Sequence, residues 1–175
     1  MTAMPKEGEK APKFTLPRDG GDKFALSEFK GRILVLYFYP RADTPGCTQE
    51  AMDFSRLSKA FDKAGASVVG VSADAVKALD RFRDKHDLSV ALGSDESHDM
   101  LAAYGAWGEK SMYGRTFMGV IRATFLIGPD GRIARVWPRS KCPVMPKKSL
   151  PQRRDCRRGR QFSYRRFSTE TFAEN

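Results

Sequence analysis

The sequence predicts an α/β domain in which a mixed central β-sheet carries helices on both faces, together with an N-terminal β-hairpin. Strand-like apolar runs alternate along the chain with amphipathic stretches of helical period, which is typical of parallel strands joined by helices. A last pair of strand-like runs around a tight turn adds antiparallel strands. The chain of 175 residues, 41% of them hydrophobic, is long enough for one such domain and too short for two.

The first half of the chain predicts a hairpin, a buried strand and a helix. Residues 14–16 and 23–26 are short strand-like segments separated by a glycine-rich turn. Residues 33–38 form a continuous β-prone apolar run, the pattern of a central strand covered on both faces. The helix that follows carries Ala51, Phe54, Leu57 and Phe61 at helical spacing, and Gly65 ends it.

The second half continues the alternation and then closes with a hairpin. Residues 67–72 are a second buried strand, and residues 74–86 are a helix capped near Ser72 or Asp74 with Leu79 and Phe82 facing inward. The remaining predicted elements are a strand at 90–92, a short helix at 97–104, and two strands at 123–127 and 133–137 around a turn at 129–132.

Charge and cysteine content limit the class of protein. The net charge is +10, yet residues 1–138 hold 20 basic and 18 acidic residues, whereas residues 139–175 hold 11 and 3. The basic character therefore belongs to the tail, and the folded part gives no reason to expect a nucleic-acid partner. The chain has three widely spaced cysteines, which indicate thiol chemistry. Its N-terminus lacks an apolar signal region, and no apolar run is long enough to span a membrane. We therefore expect a soluble cytoplasmic protein.

Cys47 is the best candidate for a reactive residue. It follows the buried strand at 33–38 and lies on the first turn of the next helix, where unpaired backbone N–H groups and the helix dipole favour thiolate over thiol. The alternative is a small buried cysteine that behaves as an apolar side chain. The strand, turn and helix context favours the nucleophile.

The residues around Cys47 resemble a known active-site signature. The run YPRADTPGCT at 39–48 is similar to that of peroxiredoxins, in particular the bacterioferritin comigratory protein subfamily. The likeness spans about residues 4–138 and continues through EA at 50–51, VGVS at 69–72 and GVIRATFLI at 119–127. It implies a thioredoxin-like fold, a monomer, and a thiol-dependent peroxidase that reduces hydrogen peroxide and organic hydroperoxides in antioxidant defence and cell redox homeostasis. It implies no cofactor and no metal.

The same resemblance assigns roles to four residues. Cys47 is the nucleophile that becomes a sulfenic acid, and Arg122 supplies fixed positive charge beside it, although by pattern alone an arginine there is a surface charge at the start of a strand. Thr44 offers a hydroxyl to sulfur or peroxide, or is an ordinary helix N-cap. Pro40 shields the thiolate, or simply ends a strand. Glu50, favoured in a first helical turn by the dipole alone, is left out of the catalytic set.

One position departs from many members of this subfamily. Those relatives have a second cysteine five residues after the first, which resolves the sulfenic acid as a disulfide, and Met52 takes that place here. Residues 48–141 contain no cysteine. The domain therefore resembles a one-cysteine peroxiredoxin whose sulfenic acid is reduced by an external thiol such as thioredoxin, glutaredoxin or glutathione. The alternative is resolution by Cys142 or Cys156 in the tail.

The chain is divided into a peroxiredoxin domain at 1–138 and a basic, Pro- and Arg-rich tail at 139–175, which we expect to be disordered. Relatives continue instead with a linker such as Val-Pro-Gly-His-Ala and an amphipathic helix. Lys141 to Pro151 can be encoded so that reading from the third base gives Val-Pro-Gly-His-Ala-Glu-Glu-Val-Leu-Ala, so we hypothesise a frameshift near residues 139–141. Each apolar side chain that the missing helix leaves in water forfeits about 1.5–3 kcal/mol, which predicts a less stable protein.

Other function classes have less support. An inactive or destabilised peroxiredoxin remnant is one alternative, and nucleic-acid binding by the aromatic and arginine side chains of residues 153–167 is another, although a frameshifted GC-rich gene also yields arginine in excess. A thioredoxin-type reductase would need a Cys-x-x-Cys pair, which residues 47–50 lack. His86 and His98 lie twelve residues apart without a nearby cysteine and do not predict a metal site.

Overall fold

The computed structural model describes residues 3–112 and 114–138. Within these residues, nine strands and four α-helices follow one another in an order that starts with a hairpin and then alternates strand and helix. The strands are β1 (Thr15–Pro17), β2 (Lys23–Ala25), β3 (Ile33–Phe38), β4 (Ala66–Ser72), β5 (Ala91–Ser94), β6 (Trp107–Met112), β7 (Arg115–Val120), β8 (Ala123–Ile127) and β9 (Ile133–Pro138). The helices are α1 (Pro45–Arg56), α2 (Ser58–Lys63), α3 (Val76–His86) and α4 (Asp99–Ala103), and a short 3₁₀ helix spans Leu26–Phe29.

The central sheet has five strands in the order β5-β4-β3-β8-β9. Strand β3 pairs parallel with β4, and β4 pairs parallel with β5, so both connections cross over through helices. Strand β8 pairs antiparallel with β3, and β9 pairs antiparallel with β8. The predicted mixed sheet with a closing hairpin is confirmed.

Every residue of β3 is buried, because both faces of the sheet are covered. Its side chains alternate between two cores: Leu36 joins a cluster with Leu101 of α4, and Val35 joins a cluster with Phe54 of α1 and Phe82 of α3. Helices therefore lie on both faces, as predicted. The N-terminal hairpin is also confirmed, with β1 and β2 paired antiparallel.

The helix predicted across residues 51–61 is two helices. The backbone leaves helical geometry at Leu57, with φ −93° and ψ 0°, and this residue ends α1 and precedes α2. Phe54 and Phe61 on the two sides of the break enter the same core. The apolar period therefore continues across Leu57. For this reason the sequence pattern alone could not reveal that the helix is interrupted there.

The cap predicted for α3 is wrong. The helix begins at Val76, and its N-cap residue Ala75 makes no side-chain capping bond. Asp74 is engaged elsewhere, because its carboxylate accepts hydrogen bonds from the backbone N–H of Ala42 and the hydroxyl of Ser72. The side chain that could have capped the helix instead holds the loop before α1.

The hairpin of β6 and β7 was not predicted. Its strands pair antiparallel over six residue pairs. Four of the six residues of β7 are exposed, including Phe117 and Met118. The segment therefore has neither a buried run nor a buried alternation, the two patterns from which strands are read in a sequence.

The predictions about the tail concern residues outside the described ranges. The domain boundary at 138, the expected disorder of 139–175 and the frameshift hypothesis therefore stay predictions, and the positions of Cys142 and Cys156 are not described. None of the helices within residues 3–112 and 114–138 could span a lipid bilayer.

Candidate active site

Cys47 lies near the start of helix α1, shortly after the central strand β3. Strand β3 ends at Phe38, a loop follows, and Cys47 is the third residue of α1, with Thr44 at the N-cap position and Pro45 at the first helical position. The thiol therefore sits among backbone N–H groups that have no partner within the helix. Cys47 is a free cysteine, and only 2% of its surface is exposed.

Arg122 meets Cys47 because of the pairing between two central strands. In the antiparallel register of β3 and β8, Phe38 lies opposite Ala123, so Arg122, one residue before β8, lies at the same end of the sheet as the loop after Phe38. The Arg122 Nη2 atom donates a hydrogen bond to Cys47 Sγ at 3.1 Å. A guanidinium at this distance stabilises negative charge on sulfur.

Glu50 is a functional candidate that the sequence reasoning left out. It lies three residues after Cys47 on α1, its side chain is fully buried, and its Oε2 atom accepts a hydrogen bond from Arg122 Nη1. Its Oε1 atom has no hydrogen-bond partner in the described structure. The available signal was spacing, because a residue three positions from Cys47 shares its face of the helix with the inward-facing Ala51 and Phe54.

Burial controls the ionisation of Glu50. Removal from water raises its pKa, and the charge and hydrogen bond of Arg122 offset only part of that effect, so that the pKa is about 7 instead of the ordinary 4.5. The Arg122 guanidinium contacts both the Cys47 thiol and the Glu50 carboxyl. Near pH 7, both the neutral and the ionised form of the Glu50 carboxyl are therefore populated.

Thr44 and Pro40 lie on the loop that leads to Cys47. The Thr44 hydroxyl donates to the backbone carbonyl of Arg41 at 3.1 Å, and it makes neither a capping bond to α1 nor a bond to sulfur. Pro40 is half-buried two residues beyond the end of β3. Of the four predicted residues, the structure brings Cys47 and Arg122 into contact and places the other two on the adjoining loop.

The two histidines do not meet. His86 Nε2 lies 2.7 Å from Asp43 Oδ1, and the His98 ring stacks on Trp107 with centroids 3.8 Å apart. The described residues include no group of three His, Cys, Asp or Glu side chains that could hold a metal ion.

The arrangement pairs a buried thiol with a fixed cation and a titratable carboxyl. A thiolate is a soft nucleophile, and the guanidinium can stabilise both the thiolate and negative charge that develops on a departing oxygen. The residue three positions after Cys47 is the acidic Glu50 and not a second cysteine, so dithiol exchange within this helix turn is not available. The geometry suits attack on a small electrophile that loses an anion.

Comparisons with known proteins agree with this geometry. The family model described as AhpC/TSA matches residues 8–136. Peroxiredoxin Bcp of Escherichia coli is 43% identical over 132 residues, which cover 75% of this chain and 85% of that protein. Peroxiredoxin Bcp of Bacillus subtilis is 40% identical over 134 residues, which cover 77% and 85%.

The fold of this chain is similar to that of a solved protein structure. The structure of the Xanthomonas campestris bacterioferritin comigratory protein, solved to study its alkyl peroxide reduction activity, superimposes with a TM-score of 0.70 and 40% sequence identity. The match covers 74% of this chain and 82% of that one.

Proposed function

Because the chain belongs to the AhpC/TSA family, and within it to the Bcp peroxiredoxins, which are peroxidases of thioredoxin-like fold, we propose that it reduces hydrogen peroxide and organic hydroperoxides through a sulfenic acid at Cys47. The single observation that carries the assignment to Cys47 is its 3.1 Å contact with Arg122. A buried thiol on the first turn of a helix, beside a guanidinium, has the environment that thiolate chemistry needs.

The chemical step is a two-electron oxidation of sulfur. The Cys47 thiolate attacks one oxygen of the hydroperoxide, an S–O bond forms and the O–O bond breaks. The second oxygen takes a proton and leaves as water or as the alcohol. Arg122 is proposed to hold the thiolate before the attack and to stabilise the developing negative charge during it, an effect that costs no reorganisation because the side chain is already in place.

Glu50 is proposed to position Arg122. Its contact with Nη1 leaves Nη2 directed at sulfur, so the two ends of the planar guanidinium serve two different groups. A lysine could not do both, because its single ammonium has no fixed fork. The Glu50 carboxyl titrates near neutral pH. We therefore propose that the electrostatic effect of Arg122 on Cys47 depends on pH.

Thr44 is proposed to contribute its hydroxyl to the bound peroxide. That hydroxyl bonds to the Arg41 carbonyl in the free protein, so it would have to turn toward the substrate. The test compares Thr44→Ser with Thr44→Val. Slow oxidation of Cys47 in the valine variant alone would support a role for the hydroxyl, whereas equal rates in both variants would reject it. Pro40 is proposed to limit the access of water to the sulfur.

Recycling of Cys47 is proposed to use an external thiol. One thiol attacks the sulfenic acid, releases water and forms a mixed disulfide, and a second thiol restores Cys47 and leaves as a disulfide. Met52 stands where many relatives have a resolving cysteine, and residues 48–141 contain no cysteine. We propose thioredoxin, glutaredoxin or glutathione as the donor, a monomeric enzyme, and a cytoplasmic role in antioxidant defence.

The test of this function is hydroperoxide consumption by the full chain with each thiol donor. The matched variants are Cys47→Ser, which removes the proposed nucleophile, and the double variant Cys142→Ser with Cys156→Ser, which removes both tail thiols. Turnover lost only in Cys47→Ser supports the one-cysteine route. Turnover lost in the double variant would assign resolution to the tail, and turnover that survives in Cys47→Ser would reject the proposal.

A further inference from the structure

The loop before Cys47 contains a residue in an unusual backbone conformation. Asp43 has φ 60°, in the left-handed region that residues other than glycine seldom adopt. Such a conformation persists where neighbouring contacts hold it in place. Asp43 immediately precedes Thr44, the N-cap residue of α1, so its conformation sets the direction in which the chain enters the helix of Cys47.

The contacts that hold Asp43 come from the end of another helix. Its Oδ2 atom accepts a hydrogen bond from Lys85 Nζ at 2.7 Å, and its Oδ1 atom lies 2.7 Å from His86 Nε2. Both partners belong to the last turn of α3. The hydrogen bond with His86 first, and then that with Lys85, lowers the pKa of Asp43 below its ordinary value, so the carboxylate is ionised at neutral pH.

His86 is itself anchored in the core. Four-fifths of its side chain is buried, and its ring meets the buried Phe82 edge to face with centroids 5.4 Å apart. Lys85, by contrast, is 61% exposed. The contact between Asp43 and His86 therefore joins the loop to the interior of the protein, whereas the lysine adds a solvated charge.

A second contact holds the same loop from the residue before Asp43. The backbone N–H of Ala42 donates to Asp74 Oδ2 at 2.7 Å, and the Ser72 hydroxyl donates to the same oxygen at 2.8 Å. Ala42 and Asp43 are thus fixed to the start and to the end of the segment that contains α3. The loop has little freedom to move Cys47 away from Arg122 while these contacts persist.

We propose that Asp43 and His86 are positioning residues, forming a clamp that sets the loop so that Cys47 Sγ lies against Arg122. This inference rests on the proposed function, since it concerns the rate at which Cys47 attacks a hydroperoxide. The clamp acts through Cys47 and Arg122 and touches no reacting atom. A small displacement of a nucleophile from its fixed charge partner lowers the rate substantially.

The variants separate contact from backbone conformation. Asp43→Gly permits the left-handed conformation without a carboxylate, and Asp43→Asn keeps an acceptor for His86 without the charge. His86→Gln removes the ring from the other side. Asp87→Gly is the matched control, because Asp87 also has a positive φ, 48°, at the end of α3, and its side chain makes no hydrogen bond among the described residues.

Two measurements are made on each full-length variant. The first is the rate constant for oxidation of Cys47 by hydrogen peroxide in a single turnover. The second is hydrogen exchange at the backbone N–H of Thr48, which donates to the Thr44 carbonyl in the first turn of α1 and reports how firmly that turn is held. The exchange measurement does not require the protein to be a peroxidase.

We expect about tenfold slower oxidation and about tenfold faster exchange in Asp43→Gly and in His86→Gln, with no further loss in the double variant. Asp43→Asn should recover part of both effects, and Asp87→Gly should match the wild type. A wild-type oxidation rate in Asp43→Gly would overturn the clamp, even with faster exchange. Failure of the wild-type protein to react with peroxide would instead reject the proposed function, and the exchange data would still decide whether the clamp holds the loop.

Discussion

Replacement of Glu50 by glutamine should change how the stability of the protein depends on pH. Glu50 is fully buried, and its pKa is about 7 in the folded protein against an ordinary value of 4.5. Between these two values the folded state holds a proton that the unfolded state has released. The free energy of unfolding therefore falls as pH rises through this interval.

The size of the effect follows from the difference between the two pKa values. At about 1.4 kcal/mol for each pH unit, the interval from 4.5 to about 7 corresponds to about 3 kcal/mol of stability. The full contribution is present below pH 4.5, and it is lost by the time the pH has passed 7. Glutamine does not titrate, so Glu50→Gln should lack this contribution to the pH dependence.

The assay is urea unfolding of the wild type and Glu50→Gln at a series of pH values from about 4 to about 8. The matched control is Glu96→Gln, since Glu96 is exposed. The stability difference between wild type and Glu50→Gln should change by about 3 kcal/mol across the series, whereas the control should track the wild type. Parallel curves for wild type and Glu50→Gln would refute the buried, titrating carboxyl.

Three further perturbations have distinct expected outcomes. Arg122→Met should slow the formation of sulfenic acid at Cys47 by about 10²- to 10³-fold, as judged by single-turnover oxidation, and a loss below fivefold would contradict its role. Asp19→Ala should lower the free energy of unfolding by about 2 kcal/mol, because it leaves the half-buried Arg83 without its 2.7 Å partner, and an unchanged urea midpoint would count against this. Met52→Cys places a second thiol on α1, five residues after Cys47, with the two Cα atoms about 9 Å apart. This distance is too long for a disulfide, so a disulfide after peroxide treatment should form only with loss of helical circular dichroism.

Much of the fold could be predicted because its strands are either buried on both faces or joined by short turns. The six residues of β3 are apolar in sequence and buried in the structure, and the hairpin of β8 and β9 has its turn at residues 128–132. The hairpin of β6 and β7 is different, because most of β7 faces water. A strand without a buried face leaves no periodic signal in a sequence.

The candidate active site could be predicted from the sequence only where neighbouring residues determine it. The position of Cys47 on the first turn of a helix follows from the residues around it. The approach of Arg122, 75 residues away, depends on the register between two strands, which only the family resemblance supplied. Glu50 was missed because it was expected in the first helical turn, where an acidic side chain is favourable on any helix. That expectation is wrong, because α1 begins at Pro45 and has no acidic residue in its first turn. The burial of Glu50 against Arg122 depends on the packed structure.

The Asp43 and His86 contact could not be predicted at all. The two residues lie 43 positions apart, and each is an ordinary polar residue in its own segment. The left-handed backbone at Asp43 has no sequence signal comparable to a glycine. Polar contacts between a loop and a distant helix are decided by the packing of the elements that carry them.

The most direct test of the account is the mass of the full chain after reaction with one equivalent of hydrogen peroxide. We expect the gain of one oxygen atom on the peptide that contains Cys47, its removal by an added thiol, and no such gain in Cys47→Ser. Loss of two hydrogen atoms with a disulfide between Cys47 and Cys142 or Cys156 would contradict the one-cysteine route. Oxidation of any other residue in place of Cys47 would contradict the central claim.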